Sequence, residues 1–368
     1  MDTFAFIIHP LDIADVYRKF PLLERFPRKI TEGILNILPP LKVSHITGVK
    51  SPYNEIEGWF VGCPLTSEQM IKLPADYAVR KIIKTGKLAE RLGARILGLG
   101  AFTSVVGDAG ITVAKNLNIP VTTGNSYTVA TAIEGTKKAA AIMGIDYRNA
   151  EVLIIGATGS IGRVCAQSLA REAKFLTLAG RDEGKLEGLA ERILKETGLA
   201  VRLTKNVKQA VRKADIIITV TSSVDSVIES GDLKPGCVVC DVARPRDVSK
   251  KVAEERKDVL VIEGGVVDVP GDVEFNFNFG FPPKKSYACM AETMILALEK
   301  RYESFTLGRE LTLEQVDEIS QLAKKHGFKL SGFRSFEREV TPEHIRAIKE
   351  NARRARVSGL QLGKVKVF

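Results

Sequence analysis

Two features of this sequence have the residue types and spacing to do chemistry. Gly156, Gly159 and Gly162 recur at every third position directly after the short apolar run Val152 to Ile155, and the residues from Ile161 to Ala173 read as a helix. A strand, a glycine turn and a helix in that order bring a backbone close to a pyrophosphate and aim helix N-terminal amides at it. The nucleotide contacts expected here are Gly156, Ala157, Thr158, Gly159, Ser160, Ile161 and Gly162. The second feature is Cys289, which follows Lys284, Lys285, Ser286 and Tyr287 and opens a helix expected to run to about Tyr302. With Ser286 as the cap, the thiol lies in the first turn, near the positive end of the dipole and two lysines. Those conditions lower a thiol pKa and make a nucleophile. A small buried cysteine is the competing reading of the same position.

The strand expected at Phe175 to Ala179 ends in Gly180, Arg181 and Asp182. An NAD site places an acid at this point to hold the ribose hydroxyls, whereas arginine suits a 2′-phosphate by charge and by its planar fork of donors. Arg181 therefore points to NADPH as the cofactor, with Asp182 one step later as the counter-indication. Thr221, after the apolar run Ile216 to Val220, and Gly265, in the segment Glu263 to Asp268, complete the expected cofactor-binding set.

These residues need a scaffold. Apolar runs at Phe175 to Ala179, Val201 to Thr204, Ile216 to Val220, Val238 to Val242 and Val259 to Ile262 alternate with helix-like segments. That alternation predicts an α/β fold with a doubly wound, Rossmann-type parallel sheet. Before it, a strand is expected at Phe4 to Ile8, a helix capped by Asp12, and a hairpin of Val43 to Val49 with Ile56 to Gly62 through Ser51-Pro52-Tyr53-Asn54. A helix from Ala75 to Leu92 leads to the strand Arg95 to Leu99, and a further strand spans Ile119 to Thr122. Both strands finish in small polar residues, where an α/β unit receives ligands. Thr103, Ser104 and Asn125 are accordingly candidates for ligand contact, with helix capping as the alternative.

A helix from Val129 to Met143 then leads to the junction at Gly144 to Asn149. The expected division is an N-terminal α/β substrate domain (1–146), a nucleotide-binding domain (147–284) and a C-terminal helical part with a basic tail (285–368), its helices at Leu313 to His326 and Pro342 to Ala355. Phe275, Phe277, Phe279 and Phe281 alternate with small or polar residues, which suits either core packing or an apolar tunnel.

Composition limits the remaining classes. The 368 residues are enough for two or three domains, and no apolar run is long enough to cross a bilayer. The first residues lack a signal peptide's pattern, so a cytoplasmic enzyme is the simplest expectation. Five scattered cysteines make no disulfide framework, Cys237 and Cys240 have no second CxxC to complete a zinc site, and four scattered histidines suggest no metal. The net charge of +10 favours acidic partners, and seven of the basic residues fall between Thr341 and Phe368 against two Glu. No nucleic-acid module accompanies them, whereas contact with a membrane surface is left open.

With these residues placed, the chain resembles the long-chain acyl-acyl-carrier-protein reductases, the family known from cyanobacterial alkane synthesis. The resemblance is carried by GLGAFTS (98–104), TTGNSYTVA (122–130), VLIIGATGSIG (152–162), EGGVVDV (263–269), YACMAE (287–292) and KKHGF (324–328), and so by nearly the whole chain up to Phe328. The basic extension beyond is not part of the pattern. What it implies is a fatty acyl thioester, on acyl-carrier protein or coenzyme A, reduced by NADPH to an aldehyde. Cys289 matches the family's catalytic cysteine, in Ala288-Cys289-Met290-Ala291-Glu292, where Met290 replaces an aromatic residue. Thr103, Ser104, Asn125 and the helix-start amides are then candidates to stabilise the oxyanion. An NADP-dependent alcohol dehydrogenase of shikimate-dehydrogenase-like organisation is the alternative, but the Lys and Asp pair it needs is missing. A short-chain dehydrogenase needs a YxxxK pair after the glycine loop, and Tyr77 and Lys81 precede it. A third reading is a non-catalytic acyl-carrier sensor.

Overall fold

The computed structural model describes residues 1–364 apart from 224, 244, 245 and 337, with the backbone alone over 358–364. Two compact units emerge, and neither is a continuous stretch of chain. The first comprises Met1–Tyr127 with Val267–Lys329, the second Thr128–Val266 with the residues from Leu330 onward. The segment expected as a separate C-terminal part is thus shared. Its cysteine helix belongs to the first unit and its basic helix to the second.

The first unit is built on a mixed sheet. Strands β1 (Asp2–Ile8), β2 (Leu41–Lys50), β3 (Glu55–Gly62), β4 (Leu97–Gly98) and β5 (Val121–Thr122) lie in the order β2-β3-β1-β4-β5, with Gly271–Glu274 added outside β2. The β2–β3 hairpin is antiparallel and turns at Ser51–Asn54, where Ser51 Oγ accepts from the Tyr53 and Asn54 amides. From β3 to β5 the strands run parallel, as the intervening helices require. The helix Ala75–Arg91 covers one face and packs Ala78, Ile82 and Ala89 against Ala5, Ile7, Val61 and Leu97. The helix Ile13–Lys19 starts at Asp12, whose carboxylate accepts from the Asp15 amide in a capping box.

Buried His326, at the end of the helix Leu313–His326, bonds Ser51 Oγ through Nδ1 and Glu299 Oε2 through Nε2. A buried polar ring needs such partners. They tie this helix to the hairpin turn and to the end of the cysteine helix.

In the second unit, β6 (Glu151–Ile155), β7 (Phe175–Ala179), β8 (Arg202–Thr204), β9 (Ile216–Thr219), β10 (Val238–Asp241) and β11 (Leu260–Glu263) are paired in the order β8-β7-β6-β9-β10-β11. Every pairing is parallel. Counted from β6, this is the order 3-2-1-4-5-6 of the doubly wound dinucleotide fold, with the switch point between β6 and β9. Continuous apolar strands are what a sheet covered on both faces demands, and β6, β9, β10 and β11 are buried along nearly their whole length. The basic helix is longer than expected and spans Pro342–Lys364. Arg356 donates from Nε to the Pro235 carbonyl, and Arg346 and Arg354 pair with Glu343 and Glu350. The last of the basic tail, residues 365–368, lies outside the described residues.

Candidate functional site

In the second unit the glycine turn follows β6. Gly156 has φ +81, and a Cβ there would lie 2.8 Å from the Val220 carbonyl oxygen, so only glycine fits. A Cβ on Gly162 would lie 2.3 Å from the Gly156 carbonyl oxygen, which explains the third glycine by close packing of helix on turn. Gly159 caps the helix Ser160–Ala170, leaving its first amides to point out of the turn. Ala157 is buried, while Thr158, Ser160 and Ile161 stay at least partly accessible beside it. This arrangement fits a pyrophosphate.

Arg181 is exposed at the carboxyl end of β7. Asp182 is the N-cap of the helix Glu183–Thr197, and its carboxylate accepts from the Lys185 amide, which holds its pKa below the ordinary value. The counter-indication to a 2′-phosphate is thereby given a structural role. Thr221 faces the glycine turn across the switch point, with its methyl carbon 3.3 Å from where a Gly156 Cβ would stand. Its hydroxyl and amide both donate to Asp247, which is fully buried and also accepts from the Thr219 hydroxyl. Thr221 therefore turns its methyl group toward the glycine turn. Gly265, φ +82, follows β11 on the same edge of the sheet, about 14 Å from β6 by three strand spacings.

In the first unit, Cys289 is the second residue of the helix Ala288–Leu298. The expected Ser286 cap is corrected: the N-cap is Tyr287, with no side-chain cap, and Ser286 Oγ donates to the Tyr287 carbonyl. Cys289 still falls in the first turn, because the preceding residues pair as the short strand Lys285–Tyr287 and only then turn into the helix. The helix lies on the carboxyl ends of β4 and β5. A Cβ on Gly100 would stand 3.8 Å from Cys289 Sγ, and one on Gly124 would stand 2.3 Å from its Cα. Gly124 also has φ +75, so both its conformation and its contact exclude a side chain. Two glycine turns thus pack their backbones against the start of the helix that carries the half-buried Cys289.

The other cysteines occupy different environments. Cys63, Cys165 and Cys237 are buried, and burial pushes their thiols up, to about 12 for Cys63 and Cys237. Cys240 is buried with Sγ 3.9 Å from the Ala132 carbonyl.

The position of the Cys289 helix is held by Glu292, one turn along from Cys289 and fully buried. Its Oε1 accepts from the hydroxyls of Thr122 and Thr306 at 2.6 and 2.7 Å, and its Oε2 from Ser126 Oγ and the Tyr127 amide at 2.6 and 3.0 Å. Sequence reasoning found Glu292 only as part of a motif; an acid inside an apolar helix run was the signal that it needs buried donors.

Thr103 and Ser104 lie in the turn Ala101–Ser104 that follows Gly100, but each gives its single hydroxyl proton to that turn. Thr103 Oγ1 donates to the Gly100 carbonyl at 2.8 Å, and Ser104 Oγ to that of Ala101 at 2.7 Å. Ala101 itself is held at φ +47, a costly conformation for a residue with a Cβ. Asn125 is half-buried as the first residue of the helix Asn125–Met143, which starts four residues before the expected Val129. Those extra residues bring Ser126 and the Tyr127 amide to Glu292. His9, also missed from sequence, accepts the Phe102 amide at Nε2 (3.3 Å), with Nδ1 2.9 Å from the Pro10 carbonyl. Burial lowers its pKa to about 4, so the ring is neutral near pH 7.

Known proteins share parts of this chain. Residues 137–263 match the shikimate/quinate 5-dehydrogenase family. The chain is 30% identical to the aminotransferase PigE of a Serratia species over 93% of its own length, but spans only 41% of that relative. It is 28% identical to a long-chain acyl-[acyl-carrier-protein] reductase of Synechococcus elongatus, over 79% of this chain and 87% of the relative. A glutamyl-tRNA reductase of Methanococcus maripaludis is 37% identical over 29% of the chain and 27% of that protein.

Two measurements test the site. Glu292→Ala leaves four donors without their acceptor and should lower the unfolding free energy in urea by about 3 kcal/mol or more; Glu292→Gln, which can still accept from Tyr127 and donate to a threonine hydroxyl, should lose less. His9 binds a proton more readily in the unfolded chain, at its ordinary 6.5, than in the folded one, at about 4. Stability should fall as pH drops between those values, and His9→Gln should lose less of it in urea titrations at the two ends. The nucleotide-binding unit, for its part, has the strand order of a dinucleotide-binding fold and contains the residues that match the shikimate/quinate 5-dehydrogenase family.

Proposed function

We propose that this protein reduces a long-chain acyl thioester, carried on acyl-carrier protein or coenzyme A, to the aldehyde with NADPH and Cys289 as nucleophile. The observation that carries the reading is Cys289 itself, a half-buried cysteine in the first turn of an apolar helix, packed against the backbone at Gly124 with Gly100 in reach of its sulfur. The resemblance over 87% of the acyl-[acyl-carrier-protein] reductase supports it, and so does Arg181 at the end of β7.

In this mechanism the Cys289 thiolate adds to the thioester carbonyl, the C–S bond to the carrier breaks, and the carrier thiol leaves with a proton. The acyl group stays on Cys289 as a thioester. NADPH supplies the hydride that reduces this carbonyl. The resulting hemithioacetal loses its C–S bond, freeing the aldehyde and restoring the thiol. Amides at the start of the Cys289 helix are better placed as oxyanion donors than Thr103 or Ser104, whose protons are engaged in their own turn. His9, neutral and accepting the Phe102 amide, holds the Ala101–Ser104 turn rather than acting as a base.

Incubation with acyl-carrier thioester in the absence of NADPH should add one acyl mass to wild type and none to Cys289→Ala, and only wild type should then form aldehyde with NADPH. Aldehyde at the wild-type rate from Cys289→Ala would sink the reading. Arg181→Ala should raise the KM for NADPH about tenfold or more while leaving NADH nearly unchanged; an equal effect on both would remove the case for the 2′-phosphate.

A further inference from the structure

The segment from Leu11 to Leu41 covers itself poorly. Leu11, Phe20, Leu22, Phe26, Ile30, Ile37 and Leu41 are all exposed, with Leu22 at 69% and Ile37 at 81%. A single exposed leucine needs no explanation, but seven large apolar side chains within one short stretch do. None of the turn Pro21–Arg25 is buried. In the helix Arg28–Ile37, Thr31 and Leu35 are buried while Ile30 and Ile37 are exposed. Residues seven apart share a face, and at 100° per residue that face is turned roughly 120–140° away from the one holding Thr31 and Leu35. The helix is therefore apolar on two sides and buries one of them.

Charge identifies what covers the other. Between Arg18 and Ile30 there are five basic residues, Arg18, Lys19, Arg25, Arg28 and Lys29, and one acid, Glu24. Arg18 and Arg28 pair with Asp15 and Glu32, whereas Arg25 and Lys29 are exposed beside the apolar side chains. Apolar residues that insert and basic residues that stay in the headgroup layer are the two parts of an interfacial membrane contact. Among the described residues no helix is long and apolar enough to cross a membrane, so the contact lies on the surface.

We infer that the 11–41 segment docks on an anionic lipid surface. Its position links that surface to the cysteine. Lys19 Nζ sits 5.0 Å from the centroid of the Phe277 ring. From there the rings run Phe277, Phe60, Phe279, Phe281 and Tyr287 at centroid spacings of 6.2, 5.3, 5.4 and 4.5 Å, and Tyr287 is the residue before the Cys289 helix. Phe60 lies fully buried beneath the row, and the part-exposed rings of Phe277, Phe279, Phe281 and Tyr287 are those an apolar chain would meet between bilayer and thiol. This last step rests on the acyl-reductase reading; the lipid contact does not.

The test is flotation of the full chain with vesicles of equal parts phosphatidylcholine and phosphatidylglycerol, without substrate or nucleotide. Wild type should float with these vesicles and much less with phosphatidylcholine alone. A variant carrying Leu22→Ser, Phe26→Ser and Ile37→Ser should lose about tenfold or more in binding, with an unchanged circular-dichroism melt because all three side chains are exposed. The inference is overturned if wild type stays unbound, or if the triple variant floats equally well. It is also overturned if light scattering shows a wild-type dimer that the same substitutions dissociate, since a second copy would then be what covers the face. Vesicle binding with an inert Cys289 would defeat the reductase reading alone.

Discussion

A carboxylate stripped of water has to be met by donors on every side, and in this protein that requirement falls on Glu292. Its oxygens collect two threonine hydroxyls, one serine hydroxyl and a backbone amide, from the end of β5, the helix start just after it and the distant stretch at Thr306. The helix bearing Cys289 is therefore fixed in rotation and height against the ends of β4 and β5. Once it is fixed, the backbone at Gly124 has no room for a side chain, and Gly100, held against the Phe6 ring, lies within van der Waals reach of the sulfur. The distances around the thiol follow from an anchor that never touches it.

The two units solve similar problems with different means. In both, parallel strands end at one edge, and glycine there lets another part of the chain come close. At Gly156 and Gly162 the glycines admit carbonyl oxygens of the protein itself, which tightens a turn. At Gly124 the glycine admits the backbone of Cys289, and at Gly100 the ring of Phe6, so that the helix start and the sheet close on one another. Buried acids shape each edge: Asp247 gathers the hydroxyls after β9 much as Glu292 gathers those after β5. Burying an acid is costly unless it is fully bonded, so each is spent where backbone position matters most.

Much of this was legible in the sequence because it rests on local rules. Apolar runs located the strands of the parallel sheet to within a residue or two, and the Asp12 cap and the Ser51–Asn54 turn follow from short-range hydrogen bonding. What escaped depends on contacts far apart in the chain. Ser286 looked like a cap, but strand pairing of Lys285–Tyr287 held the chain extended one residue longer. Thr103 and Ser104 are a local exception: they had the right chemistry for a ligand, yet carbonyls three residues back took their protons. The partners of Glu292 lie 14 to 170 residues away from it, and no periodicity reports such a network. The early start of the helix at Asn125 has the same cause, since its first turn is held by that distant carboxylate.

The first unit is interrupted between Tyr127 and Val267. On a ribosome, β1 to β5 emerge well before the helix that carries both Cys289 and their buried anchor, and translation at about 5–20 residues per second makes the interval several seconds or more. During that time Thr122 and Ser126 have hydroxyls but no carboxylate to receive them. The nascent sheet must wait, solvated and incomplete, for a piece of itself that is decoded only after an entire nucleotide-binding sheet has been made.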